Sequence, residues 1–332
     1  MIAVAGIGAS VLVTAGFAYI PLLALCWLLY LSILLVGQTF LSFQWDIFLL
    51  EVGGLALLYA PASPLSAKRK PSAVSIMCLR WCLFKIMLMS GVVKIQARCP
   101  AWMGLHALHY HYATQCIPTP LSWYAHQLPN FVQKLSVMGT LLFEIPGSFL
   151  IIAPWREARV CAACVNIFLM AVIALTGNYT FFNVLTATLC IPLLESAASS
   201  CAPTTAGGFG DDRGRAGSKR ERWWFVAIRW LAPVAFLLAC ALRLFTFSIR
   251  RAPDGAPAHG WCGEHEGGGG GGAFGWSAEC GWNVLEYHLD VNVAFTEDQV
   301  TASIQMALQW VVPIFTFAVV AAAARDVADE GA

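Results

Sequence analysis

The first charged side chain in this sequence is Asp46, and the first Lys or Arg is Lys68. The opening 45 residues are therefore uncharged, which is enough chain for two bilayer crossings at about 20 residues each. Across all 332 residues, 58% are hydrophobic and 12% charged, against roughly 25% charged in an ordinary soluble domain. A water-soluble fold is excluded on that balance. No positive charge precedes the first apolar run, so the first spans read as signal anchors and not as a cleavable leader. The net charge of +1 and the lack of a long basic tract leave no footing for nucleic acid.

Apolar runs at residues 2–20, 22–36, 47–60, 76–95, 134–153, 160–176, 179–195, 224–248 and 304–323 are candidate spans, each bounded by charge, Pro, Gly or loop composition. The expected fold is all-α: a polytopic transmembrane helical bundle of about seven to nine spans with lumenal loops. Pro21 suggests a tight turn between the first two runs, or a kink in one segment. Lys and Arg are retained on the cytosolic side. Lys68, Arg69 and Lys70 mark one cytosolic loop, Arg156 and Arg159 a second, and Arg213, Arg215, Lys219, Arg220 and Arg222 a third. Segment 96–133, the turn near Asn178 and the loop 250–303 then fall on the lumenal side. The organisation expected is a bundle over 1–195, a disordered cytosolic linker over 196–222, and two further spans in 223–332 flanking a Gly-rich lumenal loop. The run Gly267–Gly272 within that loop reads as low complexity.

Ionisable groups inside spans cost roughly 2.5–3.5 kcal/mol each at the bilayer centre unless they find partners. Glu51, Arg80, Lys85, Lys94 and Glu144 are the ones to place. Lys85 and Lys94 are nine residues apart, so they lie at different depths and do not share one partner. The simplest pairing has Glu51 and Glu144 neutralising Arg80 and Lys85. The same residues could instead line a polar cavity for transport or catalysis. His106, His109, His111 and His126 cluster in 96–133, but His106 and His109 share a helical face that His111 does not, and no carboxylate stands near to orient an imidazole. No metal or cofactor site is assigned. Pro118 and Pro120 should hold their loop extended, and the Trp and Tyr around them fit an interfacial aromatic belt. Cys161 and Cys164 form a C-x-x-C pair, but inside an apolar run where a thiol behaves as a small hydrophobe. Cys99, Cys116, Cys262 and Cys280 lie in polar loops, where an oxidising lumen would permit disulfides. Asn178-Tyr179-Thr180 meets the glycosylation rule, but so close to two apolar runs that its use is not expected.

Several motifs occur in a fixed order between about residues 37 and 196: QWD with a Glu five residues on, SGVVK, CPAW, YHY, PTPLSW, Glu144 followed by Pro146, and GNYTFFN. Together they resemble the lipase maturation factor family; Met103 departs from that pattern where a second Trp is expected. The resemblance implies a multi-pass, non-enzymatic protein of the endoplasmic reticulum membrane, in contact with membrane lipid. Its lumenal loops would assist the folding, assembly or maturation of secreted lipase clients. It points to Trp45, Asp46, Glu51, Arg80, Lys85, Lys94, Cys99, Trp102, His109, Tyr110, His111, Glu144, Asn178 and Asn183 as functional positions, without assigning any of them a catalytic role. The alternative is a membrane-embedded redox or lipid-modifying enzyme using the buried charges and the loop His and Cys residues. That reading requires a cavity where Glu51, Lys85 and His109 converge. A transporter or purely structural membrane partner is the third possibility. A maturation factor requires separate, neutralised ion pairs and an exposed lumenal surface.

Overall fold

In the computed structural model, the uncharged opening folds as a helical hairpin, α1 (Ile2–Thr14) against α2 (Ile20–Gly37). Pro21 sits in the first turn of α2, where its missing N–H is no loss, so the turn reading holds over the kinked segment. The structure describes residues 1–41, 43–61, 72–97, 99–115, 117–194, 223–251, 261–264, 278–281, 287–294 and 296–330. The basic loop at 68–70, the linker 196–222, the glycine run and Cys116 lie outside these residues.

α3 (Gln44–Tyr59) and α4 (Ala73–Gln96) follow as an antiparallel pair. The Ser75 hydroxyl donates to the Leu58 carbonyl near one end, and Lys85 bonds Glu51 halfway along. Ser72 caps α4, its hydroxyl accepting from the Ser75 amide at 3.1 Å. α4 is the centre of the core: Cys82, Leu83, Phe84, Met87, Leu88 and Ile95 are all at most 4% exposed. Phe84 meets Phe149 edge-on with ring centroids 5.4 Å apart.

A short segment leads from α5 (Pro100–Met103) through α6 (Ala107–Thr114) and α7 (Pro120–His126) to α8 (Asn130–Glu144). The expected span 134–153 is not one helix. α8 stops at Ile145 (φ −97, ψ −81), and a 3-10 turn, Gly147–Leu150, follows. Pro146 explains the break, since the residue before a proline is pushed out of the helical region. The expected run 179–195 is likewise split, into α10 (Phe182–Thr188) and α11 (Ile191–Leu194, containing Pro192). Pro120 also departs from expectation: Thr119 before it is extended (φ −88, ψ 158), but the proline opens α7 instead of prolonging an extended loop.

α9 (Arg156–Thr176) packs by a face of small residues, Ala158, Ala162 and Ala163, each at most 1% exposed. Such residues let helix backbones approach closely inside a bilayer. At its start the buried Arg159 guanidinium donates to the carbonyls of Ala153 and Pro154 at 3.0 and 2.8 Å, fixing the turn into the helix. Arg229 of α12 (Trp223–Leu244) reaches Glu157 at 2.8 Å. α13 (Glu297–Glu330) closes the chain, with Phe315 stacked on Trp81 of α4 at 4.6 Å.

Between α12 and α13, parts of the expected loop form two antiparallel ribbons. β1 (Phe245–Arg251) pairs with β4 (Tyr287–Val293), and β2 (Trp261–Glu264) pairs with β3 (Ala278–Gly281), placing Cys262 opposite Cys280 in register. The body of the chain is nonetheless an all-α helical membrane protein. Among the described residues, four helical stretches are long and apolar enough to cross a bilayer: Ile20–Leu41, Ala73–Gln96, Arg156–Thr176 and Asp298–Ala324. Ile2–Thr14 and Phe182–Leu194 are shorter apolar stretches. Outward side chains such as Leu35, Val36 and Phe168 are apolar and more than half exposed, as expected where hydrocarbon replaces water as the solvent.

Candidate functional site

The SGVVK sequence occupies the last turns of α4, and each of its distinctive residues has a separate job there. Ser90 offers its carbonyl to the Lys94 ammonium at 3.0 Å. Gly91 leaves room for the end of α8: a Cβ at this position would sit 2.5 Å from Cγ1 of Ile145 and 3.0 Å from Cβ of Glu144. Lys94 then donates to Glu144 Oε2 at 2.6 Å, with side-chain exposures of only 20% and 6%. Trp102 of the CPAW motif lies beneath the ammonium, 5.2 Å from ring centroid to Nζ, in cation–π position. Charge, aromatic face and glycine gap thus come from three separated stretches of sequence.

The two candidate histidines, His109 and His111, are held apart, as their two-residue spacing on α6 demands. His109 Nε2 bonds Asn130 Oδ1 at 2.9 Å, and His111 Nε2 bonds the Tyr179 hydroxyl at 3.1 Å. Burial, and then the positive charge of Lys94, hold His111 below its usual value of 6.5. The folded state therefore favours neutral His111. Its contribution to stability is complete above the unfolded value near 6.5 and is lost as pH falls from there through the lower folded value. Acidification from about pH 7.5 to about 5.5 is expected to lower the thermal midpoint of the wild type more than that of His111→Gln. Equal shifts in a melt of the purified chain would remove His111 from the explanation.

Further bonds pin this segment to the bundle. The Gln115 amide donates to the Thr176 carbonyl and the Thr119 hydroxyl to that of Leu175, both at 2.9 Å. Gln133 donates to the carbonyls of His126 and Leu128 at 2.9 and 3.2 Å. What remains outward is apolar and aromatic: Ile117, Trp123 and Tyr124 are 66%, 62% and 64% exposed. Tyr110 is exposed beside them in sequence, and Cys99, a half-buried free thiol, precedes α5.

A second polar group lies between α2, α3 and α4. The Tyr30 hydroxyl donates to buried Asp46 at 2.5 Å, and the Trp27 indole donates to the Leu50 carbonyl at 2.8 Å. Trp45 stacks on Phe43 at 4.7 Å. Of the expected neutralisation of Arg80 and Lys85 by Glu51 and Glu144, one pair forms, Glu51 with Lys85; Glu144 neutralises neither cation and takes Lys94. Arg80 instead donates to the Pro192 carbonyl at 3.0 Å. The reason is depth: Lys94 is in the last turn of α4 where α8 ends, whereas Arg80 faces α11. Asn178 is exposed on the α9–α10 turn, and Asn183 is buried with Oδ1 lacking a hydrogen-bond partner.

Glu51 and Lys85 sit mid-helix while His109 is tied to the start of α8, so the convergence that the enzyme reading requires does not occur. Among the described residues no three His, Cys, Asp or Glu side chains are grouped to hold a metal. Cys161 and Cys164 are free thiols. Asn130, Gln133 and Tyr30 had no signal as site residues in the sequence, whereas Gly91 had one in its place within the SGVVK motif. Tyr179 had one, since it lies inside the GNYTFFN motif, but its neighbour Asn178 drew the reading toward glycosylation.

Known proteins bear on this arrangement. The model of the lipase maturation factor transmembrane domain matches residues 1–201. Lipase maturation factor 2 of Xenopus laevis is 48% identical over 175 residues, covering 52% of this chain and 25% of that protein. The human lipase maturation factor 2 is 45% identical over 190 residues, 54% of this chain and 27% of its own length. Lipase maturation factor 1 of the mouse is 32% identical over 204 residues, 60% and 35% respectively. The matches thus span about a quarter to a third of these relatives. No solved structure matches. The family match takes in every motif whose side chains meet around Lys94 and His111, and the chain belongs to the lipase maturation factor family.

Proposed function

We propose that this chain is a membrane factor of the endoplasmic reticulum that assists secreted lipases to mature without catalysing a reaction, and that its α5–α8 segment contacts the client in the lumen. The observation that carries this reading is the combination of a fastened backbone with an exposed aromatic face at Trp123 and Tyr124. A segment held at both ends loses little further conformational freedom on binding, which favours contact with a partly folded partner. Aromatic side chains supply large contact area with only two torsions each. Separate ion pairs at Glu51–Lys85 and Lys94–Glu144 fit a scaffold whose charges are already satisfied.

Cells lacking their own maturation factor, supplied with this chain, are expected to secrete lipase of restored specific activity. The double variant Trp123→Ser/Tyr124→Ser should lose most of that rescue, on the order of tenfold if the two rings act as binding hot spots, at unchanged level of membrane-inserted protein. Full rescue by the double variant would remove this face from client contact.

A further inference from the structure

Glu51 is the eighth of 16 residues in α3 and Lys85 the thirteenth of 24 in α4, so their ion pair lies at mid-depth of both helices. The two side chains are nevertheless 38% and 44% exposed. Lys94–Glu144, by contrast, is closed in by Trp102 and by the end of α8. Hydrocarbon offers no hydrogen bonds to the open side of a charge pair, and ionisable groups at this depth face protein or a polar cavity. The antiparallel packing of α3 and α4 puts Ile47 and Met89, one turn from Glu51 and Lys85, on the same side of the pair. They are 54% and 48% exposed, and Leu58, further along α3, is 61% exposed. The open face is therefore a charge pair set in an apolar surround.

We propose that this face is covered by the same face of a second copy of the chain, each Lys85 meeting the other copy's Glu51 to make a closed ring of four alternating charges. The argument is charge complementarity. A side-by-side acid and base is its own complement under a two-fold rotation, and a two-fold contact is the commonest route by which a surface pairs with itself. One pair left open to lipid keeps unsatisfied donors and acceptors, whereas two pairs facing each other satisfy them mutually. Ile47, Met89 and Leu58 surround the ring and keep lipid headgroups and water away from it.

The full chain, labelled in separate batches with donor and acceptor dyes and reconstituted at fixed low density in phosphatidylcholine vesicles, reads this out by energy transfer. Wild-type copies are expected to pair. Glu51→Gln/Lys85→Met, which keeps the volume and removes the charges, should weaken pairing about thirtyfold, given about 1 kcal/mol for each of two interhelical polar contacts. Glu51→Lys alone and Lys85→Glu alone should each fail to self-pair, yet a mixture of the two should pair, because each supplies the charge that the other lacks. Copies carrying Ile47→Cys, mixed with copies carrying Met89→Cys, should crosslink to each other on oxidation, because the rotation that sets Lys85 against Glu51 also sets Met89 against Ile47. Wild-type transfer no higher than that of an unrelated membrane protein overturns the proposal, as does undiminished pairing of Glu51→Gln/Lys85→Met. It is equally overturned if the two charge variants fail to pair when mixed, or if the Ile47→Cys and Met89→Cys copies, expressed together, crosslink in cell membranes only to other proteins, which would indicate a foreign helix on this face.

Discussion

Replacing Glu144 by alanine is expected to destabilise the bundle by about 3–5 kcal/mol, the range for stranding one member of a buried ion pair. Glu144 is 6% exposed at its side chain and Lys94 20%, so the ammonium left behind would keep little water and only the Ser90 carbonyl and the Trp102 ring as company. Glu144→Gln retains an acceptor and should lose less. The double replacement Lys94→Met/Glu144→Leu removes both charges together, and its stability should return close to that of the wild type, since well-packed apolar residues often substitute for such a pair at no cost. Urea titration in detergent micelles, followed by tryptophan fluorescence, compares the three. If Glu144→Ala unfolds at the wild-type midpoint, the pair contributes nothing to holding α8 on α4.

Enlarging Gly91 should do comparable damage by a different route. Even a single Cβ there would meet Ile145 at 2.5 Å and the Glu144 backbone carbon at 3.3 Å. Gly91→Ala requires Ile145 to leave its rotamer, while Gly91→Val also forces the end of α8 outward and lengthens the Lys94–Glu144 bond. Overpacking costs about 1–3 kcal/mol, and the weakened ion pair adds to it. Because the two effects share one contact, they should not be additive: Gly91→Val in the Lys94→Met/Glu144→Leu background should cost less than in the wild type. The reading is a double-mutant cycle on the same unfolding midpoints. Full additivity would mean that the glycine and the ion pair act on different parts of the fold.

Much of this protein was legible before any coordinates. The charge-free opening, the low charge content and the long apolar runs require helices in a bilayer, because each backbone group there must be bonded within its own segment. That the acids and bases inside the spans would be paired followed from the expense of leaving any of them alone at that depth. So did the separation of His109 from His111, which the 100° step of a helix dictates. The ordered motifs identified the family without any three-dimensional information.

Where prolines and close contacts compete with an apolar run, composition alone misleads. Runs 134–153 and 179–195 are hydrophobic enough to be read as spans, yet Pro146 and Pro192 stand in them and the chain breaks into shorter pieces. Hydropathy sums side-chain preference over a window and carries no account of which backbone N–H is missing. The partner of Glu144 was likewise beyond the sequence, since Arg80, Lys85 and Lys94 are equivalent as charges and differ only in height on α4 and in what packs opposite. Gly91 settles that height, because α8 can end only where α4 presents no side chain. The sequence by itself determined the solvent this protein folds in, its helical class and its family. The tertiary structure alone decided which charge meets which and which aromatic face stays open, because these depend on where separate segments stop against one another.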